Sequence, residues 1–202
     1  VVREGHERGD HTAVVQRGLR FGMILFIASE VMFFAAFFWA FFNASLMPTA
    51  FTDFTWPPPD VELIPAWELP FLNTLLLLAS GATCTWAHHA LKHNNQKHLK
   101  WGLALTVGLG VIFLCVQGYE YAHAAFGFRE GIYSSTFFMA TGFHGFHVTV
   151  GAIFLGVCLI RALKGQLKPN QHIGFEAAAW YWHFVDVVWL FLFIWIYWWG
   201  GS

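Results

Sequence analysis

The chain has 202 residues, 57% hydrophobic and 11% charged, with a formal net charge of -1. A water-soluble domain carries about 25% charged residues, so this chain lacks the polar surface to cover itself in water. Its near-neutral charge excludes the basic footprint of a nucleic-acid binder.

Residue 1 is Val, and nothing ahead of the first apolar run resembles a signal peptide. The chain is therefore expected to be a processed or incomplete product. Residues 1–20 read as a polar N-terminal segment on one side of a membrane. Five continuous apolar runs follow, at about residues 21–42, 71–91, 101–121, 134–160 and 176–199. Each suffices for a hydrocarbon core of roughly 30 Å, and none shows the short alternation of a β-barrel strand. The expected fold is an all-α integral membrane bundle of five transmembrane helices.

The first run carries Glu30 in Ile27-Ala28-Ser29-Glu30-Val31-Met32. At 1.5 Å per residue it lies roughly 13 Å deep, where an ionisable group costs about 2.5–3.5 kcal/mol and needs a partner, a cavity or a proton. Glu30 reads either as an acid hydrogen-bonded to a neighbouring helix, or as a lipid-facing or proton-linked group. The segment 43–69 holds Trp56-Pro57-Pro58-Pro59, which cannot continue a helix. With Trp56 and Trp67 suited to the headgroup region, it is expected to lie along the outer surface, as a connector or as a partner contact.

Gly108-Leu109-Gly110 in the third run reads as a packing feature. In the fourth run His144 and His147 are three apart and share a face, among Gly142, Gly145 and Gly151, which favour close helix packing. Two histidines can begin a metal site, but a complete one needs further ligands. His88 and His89 fall near one membrane surface and His123 near the other, so neither set converges on the pair. In the fifth run His183 and Asp186 also share a face. They read as interhelical glue or as proton-handling groups. Cys84, Cys115 and Cys158 sit in apolar runs and read as small buried hydrophobes, neither disulfide-paired nor at metal spacing.

The connections separate by charge. Arg3, Arg8, Arg17, Arg20, Lys92, Lys97, Lys100, Arg161, Lys164 and Lys168 fall on the N-terminal side, and Arg129 alone on the other. The bias places the N-terminus in the cytoplasm or mitochondrial matrix and the C-terminus in the periplasm or intermembrane space. The acidic residues Asp53, Asp60, Glu62, Glu68, Glu120 and Glu130 lie on that second side. Arg17, Arg20, Arg161 and His172 stand where side chains can reach phosphate headgroups or simply set topology. No nucleophile elbow, phosphate loop or dinucleotide fingerprint is present, so no catalytic residue is assigned. A histidine-based metal or haem enzyme and a proton-linked transporter remain as alternatives, the latter without the repeated half and broken helices of many transporters.

Longer motifs resemble one family. Gly18-Leu19-Arg20-Phe21-Gly22 through Ser29-Glu30-Val31-Met32-Phe33-Phe34, then Leu72-Asn73-Thr74 with Thr85-Trp86-Ala87-His88-His89, Ser135 through Val148, and Gly174-Phe175-Glu176 with Trp180 through Leu192 resemble, in order, helices of subunit III of the cytochrome c oxidase (haem–copper) family, in its alphaproteobacterial and mitochondrial branch. Ala13 stands where that family often has Pro after His-Thr.

The resemblance implies a respiratory-chain subunit of a bacterial or mitochondrial inner membrane, with no redox centre of its own. Its main partner would be subunit I, with subunit II and small subunits; haem a and copper would lie in those partners, and phospholipid would be bound in a cleft. It implies support for sustained proton uptake by subunit I, and His11, Arg20, Glu30, Arg161, His172 and Trp180 beside lipid. Members of this branch have seven helices, so the resemblance implies that two helices precede this chain, on a missing segment or on a separate chain.

Overall fold

The computed structural model describes residues 12–59, 61–169 and 172–201, with the side chain of Phe51 excepted. Five long helices account for most of them: α1 (Ala13–Leu46), α2 (Leu69–Lys92), α3 (Gln96–His123), α4 (Ile132–Leu163) and α5 (Ile173–Leu192), the last continued by π-helical turns over Phe193–Trp199. All five are long and apolar enough to cross a membrane.

The helices outrun the apolar runs because their ends are set by caps. Thr12 Oγ1 accepts the Val15 N–H at 3.4 Å, so α1 begins at Ala13 and takes in Arg17 and Arg20, which the sequence reading had placed in the preceding segment. Between α2 and α3 only three residues intervene. Asn94 (φ 55) closes α2, with the N–H groups of Asn94 and Asn95 returning to Leu91 and Ala90, and the Asn95 side chain then caps α3. Gly165 (φ 69) closes α4 in the same way, the Gln166 N–H reaching the Arg161 carbonyl at 2.9 Å.

The arrangement is up-and-down. Arg20 at the start of α1 meets Glu176 at the start of α5, and His88 near the end of α2 meets His172 at the same level. At the opposite end, Phe41 of α1 meets Trp56, and Glu120 of α3 meets Tyr197. α4 and α5 form the centre: α3 packs on α2 and α4, and α1 leans on α4, on α5 and, through Phe42, on the π-helical turns. The segment between α1 and α2 folds back onto the bundle end rather than lying flat. Its Trp56 is half-buried against Phe41 and Tyr133, both at 5.5 Å, and Trp67 stands exposed beside Phe71 and Trp198.

Two tryptophans of α5 organise the core. Trp182 is fully buried, donates to Ser80 Oγ at 2.7 Å, and lies against glycines on either side: a Cβ on Gly110 or on Gly151 would come within 2.7 or 2.8 Å of its ring. Trp189 donates to Thr74 Oγ1 at 2.9 Å and meets Phe113 edge-on at 4.8 Å. The packing role expected of the glycines holds at Gly110 and Gly151. It does not hold at Gly108 or Gly145, where a Cβ would meet nothing. Cys84 and Cys158 are buried, but Cys115 is exposed on α3, contrary to the expectation that all three are buried. All three are free thiols.

Gly151→Val is expected to push Trp182 off α4 and to cost roughly 1–3 kcal/mol as an overpacked site. Gly108→Ala, which meets open space, is expected to leave stability unchanged. Thermal unfolding of the detergent-solubilised protein compares the two.

Candidate functional site

Glu30 projects from α1 onto α4. Its Oε2 lies 2.8 Å from His147 Nε2, with the Glu30 side chain 20% exposed and that of His147 7%. The opposite ring nitrogen, Nδ1, lies 2.7 Å from the Phe143 carbonyl oxygen. A carbonyl only accepts, so Nδ1 carries a hydrogen and Nε2 faces the carboxyl. Rings of Phe34 (4.9 Å), Phe33 and Phe146 (both 5.8 Å) and Tyr181 (6.3 Å) surround the imidazole. This settles the environment of Glu30: its partner is a histidine of another helix.

His144, one turn earlier, turns elsewhere. Its Nε2–H donates to the Val185 carbonyl of α5 at 3.1 Å, and the ring packs between Phe113 and Trp189. Its Nδ1 is buried without a partner. The shared face read from the spacing thus divides between two neighbours, because α4 is central and positions one turn apart meet α1 and α5 separately. Among the described residues no three of His, Cys, Asp and Glu come together as a metal-holding cluster.

His183 and Asp186 do pair, at 3.5 Å between Nδ1 and Oδ2. Thr85 of α2 lies 3.1 Å from the Gly81 carbonyl and 3.2 Å from His183 Nε2, a contact that ties α5 to α2. Gly81 leaves room for Asp186, because a Cβ there would collide with Oδ2.

The headgroup residues separate in the same way. Arg20 donates through Nε (3.0 Å) and a terminal nitrogen (2.9 Å) to Glu176 Oε2, so it pairs within the bundle. Arg17 is exposed and Trp180 half-buried. Arg161 at the end of α4 and His172 at the start of α5 keep buried nitrogens, Nε and Nδ1, that have no partner, and His88 Nε2 beside them is also unpartnered. His11, Arg3, Arg8 and Asp60 lie outside the described residues.

A second polar cluster escaped the sequence reading. Glu120, counted from sequence among the acids of the second side, is buried, with only 3% of its surface exposed. Its Oε1 accepts from Tyr197 Oη at 2.6 Å and from Gln117 Nε2 at 2.9 Å, while Gln117 Oε1 accepts from Asn73 Nδ2 at 3.1 Å. The network joins α2, α3 and the π-helical end of the last span. The signal available was the spacing of Gln117 and Glu120, three apart on one helical face.

Such a protein is a polytopic α-helical membrane protein whose ionisable groups sit at helix seams. The comparisons name its family. A profile of cytochrome c oxidase subunit III matches residues 1–201. Cytochrome c oxidase subunit 3 of Chondrus crispus is 59% identical over 202 residues, covering 100% of this chain and 74% of the relative. That of Arabidopsis thaliana is 59% identical over 201 residues, covering 100% of this chain and 76% of the relative. That of Sus scrofa is 56% identical over 201 residues, covering 100% and 77%. The chain belongs to the cytochrome c oxidase subunit III family.

Tyr197→Phe removes one of the two donors to the Glu120 carboxyl. It is expected to destabilise by about 1–3 kcal/mol, the cost of leaving a buried polar group short of a partner. The fall in midpoint on thermal denaturation in detergent measures it, and the double variant with Glu120→Gln is expected to lose less than the sum.

Proposed function

We propose that this chain is the non-catalytic core subunit III of an aa3-type cytochrome c oxidase. It packs on subunit I, binds structural phospholipid, and supports sustained proton uptake while oxygen is reduced in the partner subunits. Haem a and copper belong to those partners, with subunit II and the small subunits completing the complex. The membrane is a bacterial inner or mitochondrial inner membrane, and the basic ends of α1, α2 and α4 face the cytoplasm or matrix.

The observation that carries the lipid role is the set of unpartnered nitrogens at that basic end. Arg161 Nε is a fixed donor with no acceptor among the described residues, and His172 Nδ1 at the N-terminus of α5 has no partner among them either. A buried donor without an acceptor costs roughly 1–3 kcal/mol, and a phosphate oxygen supplies the acceptor. The positive end of the α5 dipole favours the same anion. Arg17, exposed on the first turns of α1, suits a headgroup in the interfacial layer, and so does the half-buried Trp180 through its indole. Arg20, beside its Glu176 partner and still partly exposed, Glu30 on α1, and His11 complete the proposed lipid set.

Removing Arg161 and His172 together, as Arg161→Met with His172→Phe, is expected to leave the complex assembled and to reduce the phospholipid that co-purifies with it. Turnover is then expected to begin at the wild-type rate and decay over successive cycles. Unchanged lipid content together with constant turnover would rule out the proposed role.

A further inference from the structure

His147 is the one imidazole that faces Glu30, and its other nitrogen is already committed. With Nδ1–H bonded to the Phe143 carbonyl at 2.7 Å, a hydrogen bond between Nε2 and Glu30 Oε2 at 2.8 Å needs a proton on the line between them. A carboxylate facing a bare Nε2 would set two lone pairs against each other at that distance. A protonated carboxyl facing an imidazolium would set two protons there. One proton satisfies both groups, and it leaves the pair with no net charge in surroundings where an unpaired charge is costly. Among the described residues neither the carboxyl nor the imidazole makes another ion pair or side-chain hydrogen bond: the rings around His147 are Phe33, Phe34, Phe146 and Tyr181, and His144 turns to α5. Those aromatic faces can also accommodate the ring while it carries the proton.

We propose that Glu30 and His147 hold a single proton jointly, on the line between Oε2 and Nε2, and that His147 is the positioning residue for the Glu30 carboxyl. The pair sits at the seam where α1 rests on α4. It is independent of the lipid role, because it concerns the proton count of two side chains and not what α1 faces.

Infrared spectroscopy of the assembled oxidase complex tests it. The carboxyl band belonging to Glu30 is the one that Glu30→Gln removes. Glu30→Gln is expected to leave assembly intact, since the amide N–H donates to Nε2 in place of the shared proton. His147→Phe and His147→Gln both remove the proton acceptor, and the second keeps an amide N–H for Oε2 should the first fail to assemble. In either variant Glu30 is expected to show the sharp C=O stretch of an unshared protonated carboxyl. In the wild type that band is expected to be absent or shifted to lower frequency. A Glu30 band with the same frequency and size whether or not His147 is present overturns the proposal, and so does the absence of such a band from both His147 variants. Neither result depends on lipid content or turnover, so the reading as a lipid-binding subunit stands or falls separately.

Discussion

Lipid tails are as apolar as leucine, so the hydrophobic effect gives membrane helices no reason to prefer each other over the bilayer. What holds this bundle is close contact at small residues and hydrogen bonds for which hydrocarbon offers no replacement. Trp182 illustrates both, packed between Gly110 and Gly151 while donating to Ser80. Many of the polar pairs cross from one helix to another: Trp189 to Thr74, His183 to Thr85, Tyr197 to Glu120, His147 to Glu30. The seam of α3 against α4 carries Tyr121 to Thr141, and that of α4 against α5 carries His144 to the Val185 carbonyl.

Because the helices alternate in direction, the chain gathers its chemistry at two ends. At the basic end the start of α1, the end of α2, the end of α4 and the start of α5 come together, bringing Arg20, His88, Arg161, His172 and Glu176 within one region. At the other end lie Asn73, Gln117, Glu120 and Tyr197. Among the described residues, the basic end leaves Arg161 Nε, His172 Nδ1 and His88 Nε2 without partners, and the other end leaves Trp56 Nε1.

The five spans were legible because length and hydropathy alone specify a transmembrane helix. Their ends were less so, since the Thr12 and Asn95 caps and the Asn94 and Gly165 terminations extend helices beyond the apolar runs. The His183–Asp186 pair was legible because both members sit on one helix, three residues apart. Glu30 with His147 was not, although each was singled out: 117 positions separate them, and periodicity reports which residues share a face, never which face meets which helix. The same limit hid that His144 and His147, read as sharing a face, meet different helices. The burial of Glu120 was missed for a related reason. A carboxylate at the end of an apolar run looks like a surface group unless the tyrosine that covers it, here Tyr197, is known to arrive from the far end of the chain.

The two acid–imidazole pairs show how placement decides role. His183 has a hydroxyl on one nitrogen and Asp186 on the other, with 43% of its side chain exposed and a loose 3.5 Å separation. His147 is nearly enclosed, at 2.8 Å, with a backbone carbonyl fixing the ring. The looser pair joins α2 to α5, helices that also share the Trp182 and Trp189 bonds, so its loss is spread over other contacts. The tighter pair joins α1 to α4, and the Arg20–Glu176 bridge ties α1 to α5 at the basic end. α1 thus rests on the bundle over one face, held at its end by an ion pair and near mid-span by the Glu30–His147 contact, and much of the rest of its surface is exposed.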